Sequence, residues 1–599
     1  KQVRDSRELQ RLKSDAIKNV EIITSPGARY DATVSSVIRI RTVKKQGEGM
    51  SGSLNSWVKY NGYLGGTEQL SLNYQSEKLN LFGSLWGYTK WHKEATSLIQ
   101  HIEGTKNVTV NQYDPLSYRN TMGEVNFGFN YDLNDENSIG ASYDLECEPY
   151  AKGHADGQQE IFNEGQPVDI IKQKVLADDI GGPTHELNAY YVGKVNKLGV
   201  DFNGTYLWQK TGRDMLETEE ATVLENREIH TASRRHNQLL AGKLVLSYPI
   251  AKGQLELGSE VSHTHSSGEY SNAEGIVADA STDMKENNWA GFLAFSYPLG
   301  SFSMDAGLRY EYVSAKYYSF GKYEEEPSRN YSNWFPNLTL SWNKEPWAAS
   351  LAYTCKTKRP SYSSLRNEVQ YDNRYMYEGG DPYLRPTIAH DVSLDVMCNW
   401  ISFGVEYLYE DNPIIWYVTL YNHQDIAFMR NVNFSSKQTM TAYVIAAPKF
   451  DWYQPTWQVF FQKPFFDAEK YGAPRGLSKP ALGITWNNQF KLSSTWTSWV
   501  TLHANTTSYN AFRRYRSGYY ASMRMVKTFL DEALTVNFYA DDIFRSQKDQ
   551  WTMYGDHATL TKDSYNSARE IGVRVVYKFN SGHRKYKGSG AGNAEKSRF

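Results

Sequence analysis

The sequence predicts an all-β protein, a closed antiparallel barrel of about 22 strands that crosses a membrane. Three observations predict it. Segment after segment alternates apolar and polar residues with period two. The connections between these segments are alternately short and long, and aromatic residues gather at the short ones. Composition removes the main rival, a helical membrane protein. Mean hydropathy is −0.62, and no apolar run approaches the ~18–20 residues that a membrane helix needs. A membrane barrel stays polar on average because only every second strand residue must be apolar.

Other classes fall on the same arithmetic. As a soluble protein, 599 residues would divide into several domains. Lys+Arg 65 against Asp+Glu 67 leaves a net charge of −2, so no basic excess points to nucleic acid. Cys147, Cys355 and Cys398 are too few and too scattered for a disulfide framework or a cysteine-ligated zinc.

Taken in order, the chain opens KQVRDSRELQ with neither an initiator Met nor the pattern of a secretory signal. It reads either as a chain whose signal was removed or, better, as one that starts partway through a domain, with brief helical spacing around Ser6–Ala16. Alternation starts near residue 52. Residues 125–131 set Val125, Phe127, Phe129 and Tyr131 against Asn126, Gly128 and Asn130. Residues 302–312 set Phe302, Met304, Ala306, Leu308, Tyr310 and Tyr312 against Ser303, Asp305, Gly307, Arg309 and Glu311. Residues 401–409 and 571–579 repeat the pattern.

Short turns follow Tyr131, Tyr248, Tyr297, Trp342 and Phe529, and an interfacial aromatic girdle is expected at them. Longer polar stretches, roughly 146–186, 209–238, 262–289, 313–334 and 354–391, are expected to be loops on the opposite side. Short periplasmic turns and long extracellular loops are the asymmetry of an outer-membrane barrel. A lumen of this width is expected to hold a plug. The last strand is expected to end at Phe579 rather than at Phe599, because the tail between them does not alternate.

Residues 16–46, AIKNVEIITSPGARYDATVSSVIRIRTVKKQ, read as a strand, a Pro-Gly turn and a second strand. This stretch resembles the last part of the plug domain of TonB-dependent receptors, carried by Glu21, Pro26, Gly27, Arg29, Tyr30 and Asp31. Its charged groups suit a hydrated lumen. Three more stretches look like the outer-membrane β-barrel family of such receptors found in Bacteroidota. They are KRPSYSSL (358–365) with YEGGDPYLRPTIAHDVSL (377–394), MRMVKTFLDEALTVNFYADDIF (523–544), and the tail KYKGSGAGNAEKSRF (585–599).

The resemblance implies the C-terminal part of a plug at 1–46, a barrel at 47–580 and a Gly-rich basic tail at 581–599. It implies a cell outer membrane location and import of a glycan, peptide or metal chelate, driven by the inner-membrane proton gradient. The partners it implies are outer-membrane lipids and lipopolysaccharide, a TonB complex reached through residues outside this chain, and a surface lipoprotein or outer-membrane complex. It implies no cofactor and no catalysis. The family's plug is longer than residues 1–46, and no TonB box is read here.

The candidate site residues also admit plainer roles. Tyr362, Tyr371, Tyr375, Tyr377 and Tyr383 are ligand candidates because flat aromatic faces stack on sugars and planar groups, with loop self-packing as the alternative. His263 and His265 share a strand face, but no third metal ligand is evident. Gly588–Asn593 resembles a phosphate loop only superficially, since no helix is expected after it. Asp541 and Asp542 are adjacent on a strand and point to opposite faces. Two further readings compete with import: a transport-inactive scaffold of the same fold, and a secreted glycan-active enzyme.

Overall fold

The computed structural model describes residues 17–23, 27–34, 37–42, 48–580 and 588–599. Ser6–Ala16 and Pro26 lie outside the described residues, as does the side chain of Glu21. Ile17–Ile23 pairs antiparallel with Val37–Thr42, Glu21 standing opposite Arg39. Among the described residues, 22 antiparallel strands then close into a barrel. The first, Gly49–Tyr60, pairs with the last, Glu570–Phe579, with Gly52 opposite Phe579 and Tyr60 opposite Ile571. Phe579 ends the barrel, and Phe599 does not.

The short connections expected after Tyr248, Tyr297 and Trp342 are tight hairpins, with Ile250 paired to Gly253, Leu299 to Phe302 and Lys344 to Trp347. A further one, not expected, joins Val195 to Leu198. Asn196 (φ 57°) and Gly300 (φ 68°) take the left-handed backbone that such turns require. On the outer face Tyr131, Tyr248, Trp347 and Phe529 stand exposed beside these turns, as an aromatic girdle should.

Alternation places each face as read. Phe302, Leu308 and Tyr312 are exposed on the outside, whereas Arg309 and Glu311 are almost fully buried in the lumen. From Phe302 to Tyr312 the strand runs ~33 Å, which at the usual barrel tilt gives ~25 Å of apolar height.

Most of the expected long loops are not loops. Residues 146–186, 209–238, 262–289 and 313–334 mainly continue the barrel strands outward, in strands as long as Gln166–Val195, 30 residues. Crossing the membrane takes only ~9–11 residues, so the wall rises far above it. The reason these stretches hid is a change of phase. In Asn107–Asp132 the membrane part exposes Val125, Phe127 and Phe129 outward, while higher up Val108 and Val110 are buried inward. Lipid demands an apolar outside; above it, water demands an apolar inside. Register shifts at Glu146–Lys152 and Gly181–Thr184 disturb the pattern further.

That inward apolar wall receives a lid. Two segments between barrel strands, in 369–379 and 414–433, form a four-stranded sheet of Val369–Asn373, Met376–Gly379, Ala427–Asn433 and Ile414–Leu420, in that spatial order. Its core with the wall includes Ile102, Val110, Ile161, Ile171, Val418 and Leu560. Phe512 sits at the centre of an aromatic group, its ring centroid 4.5 Å from Tyr417, 4.9 Å from Phe434 and 5.2 Å from Phe466. Each such side chain contributes ~1.5–3 kcal/mol by leaving water, enough to hold the sheet down.

Candidate functional site in the lumen

Below the lid, the segment Gly27–Val34 docks on the inner wall through polar contacts. A turn shapes it: Tyr30 N–H donates to the Gly27 carbonyl, and Asp31 Oδ1 accepts from Thr33 N and Oγ1, both at 2.9 Å. Arg29 reaches Asp201 at 2.7 Å and Glu256 at 3.2 Å, and its carbonyl accepts from Lys243 Nζ at 2.7 Å. Asp31 pairs with Arg309 at 3.3 Å, and Thr357 N–H donates to the Ala32 carbonyl at 2.9 Å. A Cβ on Gly307 would stand 2.8 Å from that of Ala28, so only glycine lets the segment lie so close. Burial alone would raise the Asp31 carboxyl, but Arg359, Arg309 and Thr33 outweigh it and bring it down to about 2.

Behind this segment lies a buried charge network. Arg309 Nε donates to Glu311 at 2.5 Å and its Nη2 approaches Glu260 at 3.4 Å. Arg359 takes the other oxygen of Glu311 and reaches Glu595 at 3.2 Å. Glu595 belongs to the C-terminal tail, which lies inside the barrel. Lys596 pairs with Glu186 at 2.9 Å, and Arg598 grips both oxygens of Glu286. Buried charges are tolerated only when paired, and here each has a partner from another part of the chain.

The residues singled out from sequence divide as follows. Arg29 and Asp31 pair with the lumen wall and Gly27 lies beside Asn337, whereas the Tyr30 N–H is used inside the segment's own turn. Tyr362 is buried beneath Phe599, with ring centroids 5.6 Å apart. Tyr371 and Tyr377 are buried together in the lid, Tyr371 donating to Glu219 at 2.7 Å. Tyr375 is half-buried beside the lid core, and Tyr383 stands exposed near Glu326. His263 and His265 bond to Asn287 and Asp283. Among the described residues no group of three side chains is arranged to hold a metal. A helix does follow Gly592, contrary to expectation, but Asn593–Lys596 is one turn, and the Gly592 N–H is taken by Glu260. Arg359, Glu595, Lys596 and Arg598 were not singled out from sequence; the alternating charges of GNAEKSRF are the signal that was available.

A second polar feature lies on the outside, just above the apolar belt. Lys93 sits 4.5 Å over the Tyr63 ring, and Tyr63 stacks on Trp91 at 4.6 Å. Arg119 lies 5.4 Å from the Trp91 ring and 5.0 Å from that of Tyr150, with Lys152 6.0 Å from the same Tyr150 ring. The Nε of Arg119 has no hydrogen-bond partner among the described residues. A cavity of about 980 Å³ opens on this wall, lined in part by Trp91, Arg119, Tyr150 and Lys152.

The family model of the outer membrane protein beta-barrel family matches residues 193–577. No curated protein matches the chain. Among solved structures it is similar to the copper transporter OprC, at 10% identity and a TM-score of 0.63 over 94% of this chain and 86% of that one. It is also similar to the siderophore receptor PirA from Acinetobacter baumannii, at 11% identity and 0.58 over 94% and 85%. A third is the FrpB iron transporter from Neisseria meningitidis, at 12% and 0.58 over 94% and 88%. At these identities the likeness is one of fold.

Proposed function

The chain belongs to the outer membrane protein beta-barrel family, and from that premise we propose that it imports a ligand as a TonB-dependent transporter. The observation that carries this reading is the seat of Gly27–Val34. A plug must close a wide lumen yet be able to leave, and polar pairs with the wall suit that better than a dry apolar core, because water can take over each charge on release. Arg29 and Asp31 hold the segment by such pairs, while the apolar contacts are concentrated in the lid above. Residues 1–46 are, in this reading, the C-terminal part of the plug. Energy coupling through an inner-membrane TonB complex belongs to the proposal and is assigned to no residue of this chain.

The similar solved structures are named a copper transporter, a siderophore receptor and an iron transporter, which favours a metal chelate over a glycan or peptide as the first ligand to test. Of the five loop tyrosines, Tyr383 is the one exposed for first contact, whereas Tyr362, Tyr371 and Tyr377 fix the loops beneath it. The test is uptake of labelled iron and copper chelates, oligosaccharides and peptides by cells with and without the protein, each with and without a protonophore. Uptake that needs both the protein and the proton gradient supports the reading. Absence of energised uptake across the panel favours the transport-inactive scaffold, a reading that the filled lumen also accommodates.

The outer ladder belongs to the same proposal. Cations framed by aromatic rings at the upper edge of the apolar belt suit lipid phosphates, and lipopolysaccharide presents them there.

A further inference from the structure

We propose that the lumen wall spanned by Gln166–Val195, Leu198–Ala221, Arg227–Ile250, Gly253–Asn272 and Ala280–Leu299 is a peptide-binding site whose resident is the protein's own segment 588–599. We propose also that the seated tail latches the plug segment to the outer loop. The inference does not depend on which ligand the barrel carries, or on whether it carries one.

The wall recognises the tail first as backbone. Four successive amides are satisfied by wall side chains rather than by the tail itself. Ser589 and Gly590 donate to Asn203 at 2.7 and 3.2 Å, Ala591 to Thr205 at 3.1 Å, and Gly592 to Glu260 at 3.1 Å. Asn203, Thr205 and Glu260 are themselves buried. An empty site would leave those groups without the partners they are placed for. Glycine is required here by space and by backbone: Gly592 has φ 62°, and a Cβ on it would lie 2.7 Å from the Cβ of Ala241.

Side chains then fix register and direction. Glu595 accepts from Asn288 at 3.1 Å and pairs with Arg359; Lys596 meets Glu186, and Arg598 meets Glu286. Acid faces base and base faces acid along the whole stretch, and sliding the tail by one residue would break every pair. Beyond it the Phe599 ring stacks on Tyr362, whose N–H donates to the Arg598 carbonyl at 3.2 Å.

The latch follows from which wall residues are shared. Arg359 holds Glu595 with one nitrogen and Glu311 with another, and Glu311 orients Arg309, the partner of Asp31. Glu260 holds Gly592 and also faces Arg309 and Lys243, the lysine that holds the Arg29 carbonyl. Two of the polar grips on the plug segment, Arg309 on Asp31 and Lys243 on the Arg29 carbonyl, therefore run through groups that the tail completes. Removing the tail leaves Arg359 and Glu260 each one partner short in a buried place. It loosens the grip on Arg29 and Asp31 by charge imbalance rather than by lost packing.

Cys355 supplies the readout, because it is buried with Ala32 of the plug segment and Phe335 of the wall. The full chain, with Cys147 and Cys398 replaced by Ser, is purified from membranes and treated with a maleimide. Chains ending at residue 587, Gly592→Val and Arg598→Glu are compared with it, and heat-modifiable migration confirms that each barrel is folded. A fluorescent peptide GSGAGNAEKSRF is then added to the truncated chain. We expect Cys355 labelling to rise about tenfold or more in all three variants. We expect the peptide to bind saturably and restore protection, and a scrambled peptide of the same composition to do neither. If the truncated chain fails to fold, the two point variants carry the test in the full chain. Cys355 protection equal to the parent in Gly592→Val and Arg598→Glu overturns the latch, and a peptide that binds no better than its scrambled form overturns the site.

Discussion

Arg598 and Glu286 stand 312 positions apart in sequence and form a two-pronged ion pair inside the barrel, each side chain 6% exposed. The next-to-last residue of the chain is thus anchored at mid-wall, and the arrangement dictates the cost of breaking it. Glu286→Ala leaves a buried guanidinium unpaired, a loss of about 3–5 kcal/mol when one partner of a buried pair is removed. Trypsin is expected to cut after Lys596 and Arg598 in Glu286→Ala and to leave the parent tail intact. Mass spectrometry of the released fragments decides it.

Phe512 is fully buried where several outer segments meet, among Tyr417, Phe434 and Phe466. Phe512→Ala should cost about 3–5 kcal/mol. That cost should fall on the lid alone, because the barrel strands are held by their own ladder. Hydrogen exchange is expected to speed up in 414–433 with no change in the ladder strands near Phe302–Tyr312. Uniform loosening of both would refute the separation.

The lid should also respond to pH. Burial pushes the Glu378 carboxyl above its ordinary 4.5, and Arg513 only partly offsets this. Because its folded value is raised, the native lid binds the proton more tightly than the released lid does. The stabilisation is therefore complete below about 4.5 and is lost as pH rises through the raised folded value. The lid should be seated more firmly at pH 5 than at pH 8, read as the urea concentration that frees Met376–Gly379 to exchange. Glu378→Gln should weaken that dependence without abolishing it, because Asp372 in the same sheet is also pushed up, to about 7, by burial and by Glu378 and Asp114; an unchanged slope would show that Glu378 takes no part.

Arg119 tests the outer ladder. Its guanidinium lies between Trp91 and Tyr150. On the proposed binding of lipid phosphates, Arg119→Ala should leave several-fold less lipopolysaccharide with the purified barrel than the parent, since cation–aromatic contact and phosphate pairing are lost together. Phosphate analysis of the purified protein measures it, and Arg119→Lys should retain part of the effect. Equal lipopolysaccharide in all three proteins would show that the ladder serves only packing.

The fold was legible wherever one rule governed a whole strand. In 302–312 every second residue faces lipid, and the opposing register put Arg309 and Glu311 in the lumen, where the structure has them. The lid hid for a physical reason. Between Val125 and Val110 a single strand leaves lipid for water, so its apolar residues change sides and the alternation loses phase. Tyr371 and Tyr377 looked like exposed loop aromatics because nothing local marks the wall that covers them.

By itself, then, the sequence determined the barrel, its closing strand at Phe579 and the inward face of the cleanly alternating strands such as 125–131 and 302–312. Those follow from the period-two demand of lipid on one side and water on the other, which is a local property. Only the tertiary structure decided that Asp31, Arg359 and Glu595 share one buried place. Three segments that look unrelated along the chain meet there, and charge pairing across hundreds of residues leaves no period to read. A residue's partner in such a network is set by where the closed wall brings it, not by its neighbours in sequence.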